Sequence, residues 1–286
     1  MSYAVKYILN GDIVVTVIDS LSVLNTAARL HGLTPLSSAV LNRIMTAGLF
    51  LSQDLKNDGD RLSVSVGGSG PFKKAVVASD KKGLIKGYIL NTSAECPLKD
   101  GKLDIDAAVG KDGYISVVKD LGLKEPYSGN SRIVTGDIAA DFALYFTLSE
   151  QKPSAVALGE YLSGGKIKAA GGIFVQPLPG ANDFLITAVQ DVLRNFTDTG
   201  RIFYQSKTSD EIMEKYFGAF EIKKADEYKP RFFCGCSEAK TRKIIRLLGR
   251  QEAEATIAEQ GVIEANCSFC NKTYRFKADE LGAIFD

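Results

Sequence analysis

Residues 3–17 are rich in β-branched and apolar side chains and are interrupted at Asn10-Gly11-Asp12, a turn signal, so the pattern predicts two short strands. Ser20 or Ser22 can cap a helix that runs to His31 and stops at Gly32. A second helix starts at Pro35 and extends to Lys56, placing Leu36, Val40, Ile44, Ala47, Leu51 and Leu55 on one side. The period then shortens to two. Leu62, Val64 and Val66 alternate with polar residues, and residues 74–79 and 84–90 form strand-like runs joined by Asp80-Lys81-Lys82-Gly83, a hairpin signal. Residues 114–118 and 166–175 also read as strands, and residues 137–148 as a helix. Strands grouped together with helices at intervals favour α+β over a regular βαβ repeat, and no internal repeat is visible.

Gln176-Pro177-Leu178-Pro179-Gly180 marks a boundary. Beyond it Leu185, Val189, Val192, Leu193 and Phe196 recur at helical spacing, and Thr208 with Glu211 forms a capping box for a second short helix. Residues 179–230 carry 9 acidic and 7 basic side chains around a thin apolar stripe, so this segment is expected to be helical and to need docking on its neighbours.

Composition narrows the function classes. Of 286 residues, 45% are hydrophobic and 24% charged, which excludes wholesale disorder and fibrous repeats. The net charge of +1 argues against a general polyanion binder. With one histidine, His31, Ser-His-Asp triads and His-based metal sites have almost nothing to work with, and no enzyme activity is expected. His31 itself reads as a packing or surface residue. The first residues lack the apolar core of a signal peptide and no stretch approaches 18 apolar residues, so a cytoplasmic chain with no membrane partner is expected.

Four of the five cysteines fall after residue 233, as Cys234-Gly235-Cys236 and Cys267-Ser268-Phe269-Cys270, with 30 residues between the pairs. Two close thiol pairs across a loop suit a closed tetrahedral four-cysteine site, in which each pair supplies two sulfurs about 2.3 Å from a structural Zn²⁺. Zinc keeps these sulfurs as thiolates, the form that oxidants attack, so the spacing is compatible with either a plain zinc ribbon or a redox switch. The chain thus reads as α+β: a mixed N-terminal core over residues 1–178, a helical linker over 179–230 and a zinc-binding module over 231–286.

Other motifs carry less. Cys96 has no sequence neighbour to pair with and reads as an ordinary thiol. Gly67-Gly68-Ser69-Gly70-Pro71 lacks the GxxxxGK[ST] pattern of a phosphate loop and reads as a turn. Arg242, Arg246 and Arg250 repeat at i, i+4 and would form a basic stripe, which supports an alternative as a zinc-ribbon nucleic-acid-binding protein. Residues 231–286 hold 9 basic and 8 acidic side chains, however, and four thiolates with one Zn²⁺ bring the module to about −1, so a solvated helix face is favoured and no nucleic-acid partner is expected.

The chain resembles the heat-shock protein 33 family along nearly its whole length. The C-terminal match is Cys234-Gly235-Cys236-Ser237, Gly261-Val262-Ile263-Glu264, Cys267-Ser268-Phe269-Cys270 and Tyr274-Arg275-Phe276. Gly70-Pro71, Lys86-Gly87-Tyr88, Ser149-Glu150-Gln151, Gly171-Gly172 and Gln176-Pro177-Leu178-Pro179 agree independently. It departs at Glu238-Ala239-Lys240, where the family often has an Arg-Glu pair, and at Lys86, where Arg is common; neither touches a ligand position. The resemblance implies a redox-regulated, ATP-independent chaperone that is an inactive zinc-bound monomer when reduced. It further implies that oxidation with heat releases zinc, joins Cys234 to Cys236 and Cys267 to Cys270, unfolds the zinc module and linker, and yields a homodimer that holds unfolding client proteins.

Overall fold

A computed structural model describes residues 2–285, which form two compact units, one ending at Phe232 and the other beginning at Phe233. The first unit runs β1 (Tyr3–Leu9), β2 (Ile13–Asp19), α1 (Leu21–His31), α2 (Pro35–Ser52), β3 (Arg61–Gly68), β4 (Lys74–Ser79), β5 (Leu84–Ile89), α3 (Ile105–Val109), β6 (Gly113–Asp120), β7 (Tyr127–Arg132) and α4 (Ile138–Leu148). It continues through β8 (Ala155–Ser163), β9 (Lys166–Pro177), α5 (Asp183–Leu193), α6 (Thr199–Gln205), α7 (Ser209–Phe217), β10 (Ile222–Tyr228) and β11 (Arg231–Phe232). One antiparallel sheet has the order β10-β1-β2-β9-β8. The other has the order β11-β5-β4-β3-β6-β7, antiparallel except where β11 lies parallel to β5. The α+β class read from the sequence is what is observed.

Helix α2 lies between the sheets, touching β8 and β9 of one and β3, β4 and β5 of the other. Every residue of α2 except Pro35 and Arg43 is buried, so the helix is enclosed all round rather than along one stripe. It begins where Thr34 accepts a hydrogen bond from the Ser37 amide, with Pro35 in the first turn. Phe50 of α2 stacks on Phe174 of β9 with ring centroids 4.1 Å apart, fixing the helix to the sheet. The expected stop of α1 at Gly32 is present, with φ +62° at that glycine. Ser20 precedes the helix but does not cap it; its hydroxyl donates to Asn42 Oδ1 at 2.8 Å instead.

A second core lies on the far face of the five-stranded sheet. Val5, Tyr7 and Leu9 of β1, Ile13, Val15 and Val17 of β2, and Ile173 and Val175 of β9 pack under Leu185, Val189, Phe196, Ile202, Phe203, Ile212, Met213 and Phe217. Burial on both faces explains why residues 13–18 are almost continuously apolar. The segment that reads as helical therefore serves as the lid of this core through α5, α6 and α7. Its last part differs, because residues 222–228 pair with β1 as the edge strand β10 despite their charge. Pairing to an available edge outweighs the weak strand propensity of Lys223, Lys224, Asp226 and Glu227.

Two contacts set α6 and α7 down on the sheet. A Cβ at Gly200 would lie 2.2 Å from the carbonyl carbon of Glu160, so only glycine allows α6 to rest on the β8 backbone. The buried Tyr7 hydroxyl donates to Asp210 Oδ1 at 2.6 Å and lies 2.7 Å from Ser209 Oγ, clasping the start of α7. Tyr7→Phe is expected to cost about 1–3 kcal/mol, since Asp210 loses its donor in a half-dry site. Faster amide exchange across residues 209–217 and a lower melting temperature are the readouts, and unchanged exchange there would contradict the clasp.

The second unit contains α8 (Glu238–Leu248), α9 (Arg250–Gln260), the antiparallel hairpin β12 (Ile263–Asn266) and β13 (Thr273–Phe276), a single 3-10 turn (Ala278–Glu280) and α10 (Leu281–Phe285). Its buried apolar cluster is small: Ile245, Ala253, Ile263, Tyr274, Phe276, Leu281 and Ile284. No helix among the described residues is long and apolar enough to cross a membrane.

Candidate metal centre

The hairpin and the start of α8 present the cysteines. Cys267 and Cys270 sit in the turn between β12 and β13, where the Cys270 and Asn271 amides donate to the Cys267 carbonyl at 3.2 and 2.8 Å. Asn271 closes this turn with φ +57°, a left-handed conformation that asparagine tolerates better than most residues. Cys234 and Cys236 lie on the extended approach to α8, whose first turn is capped by Ser237 accepting from the Lys240 amide. Lys240 Nζ also donates to the Gly235 carbonyl at 2.6 Å, holding the Cys-x-Cys bend against the helix start. The amide end of a helix favours the negative charge that thiolates would carry.

All four Sγ atoms lie within 4.8 Å of one another. Cys234 Sγ is 3.6 Å from Cys267 Sγ, and Cys236 Sγ is 3.4 Å from Cys270 Sγ. A tetrahedral shell with metal–sulfur bonds of about 2.3 Å places its sulfurs about 3.8 Å apart, so the spacing fits one metal ion. Each thiol is half-buried, which leaves the group within reach of small solutes.

The thiols differ in acidity. The Tyr274 hydroxyl donates to Cys236 Sγ at 3.2 Å and holds that thiol down at about 7. Burial pushes Cys234 up and Cys270 up to about 12. Tyr274 is raised to about 12, chiefly by the same hydrogen bond. Tyr274 belongs to the sequence match, but only the fold brings its hydroxyl to the sulfur.

The remaining sequence candidates lie elsewhere. Cys96 is half-buried against the core between the two sheets, and burial raises its thiol. His31 is buried at the end of α1. The glycine loop after β3 is a tight turn in which the Gly70 amide donates to the Val109 carbonyl at 2.8 Å. The arginine row is interrupted, because α8 ends at Leu248 and Arg250 opens α9. Arg246 and Arg250 are exposed, as expected of a solvated face, while Arg242 is half-buried: it pairs with Glu238 at 2.8 Å and Glu280 at 3.0 Å and lies over the Phe276 ring. Arg246 also donates to the Ile284 carbonyl, and Ile244, Leu247 and Leu248 are exposed beside it.

The Hsp33 protein family matches residues 2–277. The 33 kDa chaperonin of Clostridium beijerinckii is 36% identical over 267 residues, covering 93% of this chain and 91% of the relative. That of Clostridioides difficile is 35% identical over 273 residues, covering 95% and 94%. Among solved structures, the 33 kDa chaperonin (heat shock protein 33 homolog) of Thermotoga maritima superposes with a TM-score of 0.88 at 27% identity, covering 99% of this chain and 97% of that one. With the family matched over residues 2–277, and four cysteine sulfurs gathered where a metal ion fits, this chain belongs to the Hsp33 family of chaperones.

Proposed function

We propose that this protein is a redox-regulated, ATP-independent chaperone of the cytoplasm that binds unfolding proteins and prevents their aggregation. Its activity is binding rather than turnover. The observation that carries the reading is the placement of four half-buried thiols within 4.8 Å in a unit with only seven buried apolar residues. Cys234, Cys236, Cys267 and Cys270 would hold one Zn²⁺ in the reduced state, and that ion would supply the crosslink between the start of α8 and the hairpin turn.

Oxidation acts on the cysteines themselves. One hydrogen peroxide takes two electrons from the Cys234 and Cys236 thiolates and two protons from solvent, forming one S–S bond and two waters; a second does the same at Cys267 and Cys270. Disulfide sulfurs are poor metal donors, so the four-thiolate shell is lost. Bridges within each pair close loops of three and four residues and stabilise by only about 2 kcal/mol each. They also leave the two halves of the unit unconnected across the 30-residue gap. The C-terminal unit then unfolds, and α5–α7 leave the sheet face they cover, exposing apolar surface for clients and for assembly into a homodimer.

Light scattering from a thermally unfolding client tests this, comparing zinc-loaded reduced protein with protein treated with peroxide at mild heat. Suppression only by the oxidised form is expected. Equal suppression by both forms would remove the redox control, and suppression by neither would remove the chaperone. Peptide mapping that found Cys234 bridged to Cys267 would overturn the pairing, because such a bridge preserves the crosslink.

A further inference from the structure

The edges of the two large sheets are unlike one another. Edge strand β10 carries Lys223, Lys224, Asp226 and Glu227, and edge strand β7 is Tyr127-Ser128-Gly129-Asn130-Ser131-Arg132. Edge strand β11 is only two residues long. Charge, polarity and shortness are the usual means of preventing an edge from pairing with foreign chain. β8 has none of these: it reads Ala155-Val156-Ala157-Leu158-Gly159-Glu160-Tyr161-Leu162-Ser163, and no strand among the described residues pairs with its outer side. Its one charge, Glu160, is turned inward to Asn42 and Arg43 at 3.0 and 3.1 Å. The register with β9 is regular from Ala155 to Tyr161, leaving a straight template of seven residues, about 23 Å long, before a bulge at Tyr161/Leu162.

A cavity of about 540 Å³ runs along this strand, touching each residue from Ala155 to Leu162. Arg43 and the start of α4 form one wall, residues 193–201 the other, and residues 101–105 a rim. Its charged side chains are balanced: Arg43, Lys102 and Arg201 against Asp137, Glu160 and Asp198. Such a lining suits neither a polyanion nor a lipid surface. It suits a polypeptide of mixed composition, bound through its backbone.

We propose that the outer edge of β8 is a strand-addition site, where an extended segment of an unfolded client pairs as a sixth strand of the sheet. Main-chain hydrogen bonds give such pairing affinity without demanding a particular sequence, which a general holdase needs. One wall belongs to the helical segment that lifts away on oxidation in the function proposed above, so the inference rests on that reading: the slot opens when α5 and α6 leave.

Amide hydrogen exchange of the peroxide-treated protein, with and without reduced carboxymethylated α-lactalbumin as a permanently unfolded probe, tests it. In an antiparallel pair only alternate amides point to the free edge. Client should therefore slow exchange by about tenfold at every second residue of 155–161, a period-two signature that general burial would not produce. A photo-crosslinker at Leu162 should capture the probe, and one at Tyr114 should not. If scattering is suppressed while β8 exchange is unchanged, or if Leu162 crosslinks to a second copy of this chain instead, the strand-addition site is overturned and the chaperone stands. If the oxidised protein suppresses no scattering, the chaperone reading fails, and the inference fails with it.

Discussion

Cys267→Ser is expected to unfold the C-terminal unit of the reduced protein and to leave a chaperone that suppresses aggregation without oxidant. A structural zinc site contributes about 10–16 kcal/mol to the folding of a small unit, as much as the entire stability of a typical domain. The unit beginning at Phe233 has no comparable reserve. Its buried cluster is seven side chains, and two of its ion pairs, Arg242 with Glu238 and Arg275 with Glu264, are surface pairs that add little. Serine keeps the shape of the turn after β12 but is a poor ligand for soft metal coordination, so three thiols remain where four are needed. Metal analysis after dialysis should find less than one zinc per chain. Amides of residues 263–276 should exchange as in an unfolded peptide. If Cys267→Ser keeps a full equivalent of zinc and a protected hairpin, the four-sulfur site is wrong; if it loses both yet stays inactive until peroxide is added, the site is structural and the switch lies elsewhere.

What the sequence made legible is what local signals encode. The turn at Asn10-Gly11-Asp12, the glycine stop of α1, Pro35 at the start of α2 and the Thr208 cap of α7 each depend on neighbouring residues, and each is present. The cysteine pairs were equally plain, because their spacing along the chain reflects a geometry that any metal imposes. Elements defined by tertiary neighbours were not. β8 lacks a clean alternation because residues on both of its faces lie against packed layers, and β10 is a strand only because β1 offers it an edge. The apolar stripe on α2 extends all round the helix because two sheets enclose it, which no local periodicity announces. The arginine row is legible only in part: Arg246 and Arg250 are exposed as a solvated face requires, but Gly249 breaks the helix so that Arg250 opens α9, and Arg242 is half-buried against the Phe276 ring, which no local spacing announces.

Phe217→Ala is expected to release the middle helices while the protein is still reduced. Phe217 is fully buried at the end of α7, with its ring 5.9 Å from Phe196 and 6.5 Å from Phe220. Truncating such a ring costs about 3–5 kcal/mol through lost transfer energy and the cavity left behind. That loss falls on one side of the five-stranded sheet. The core around α2 lies on the other side and shares no side chain with the one under α5–α7, so the damage should stay local. Amides of residues 183–217 should exchange faster by a hundredfold or more, about the factor that 3 kcal/mol gives, while those of α2 remain protected. If docking of these helices is what keeps the chaperone silent, the reduced, zinc-loaded variant should suppress client aggregation without peroxide. Undocked helices with a silent reduced protein would show that covering this sheet face is not what holds activity in check, and would move the client surface away from it.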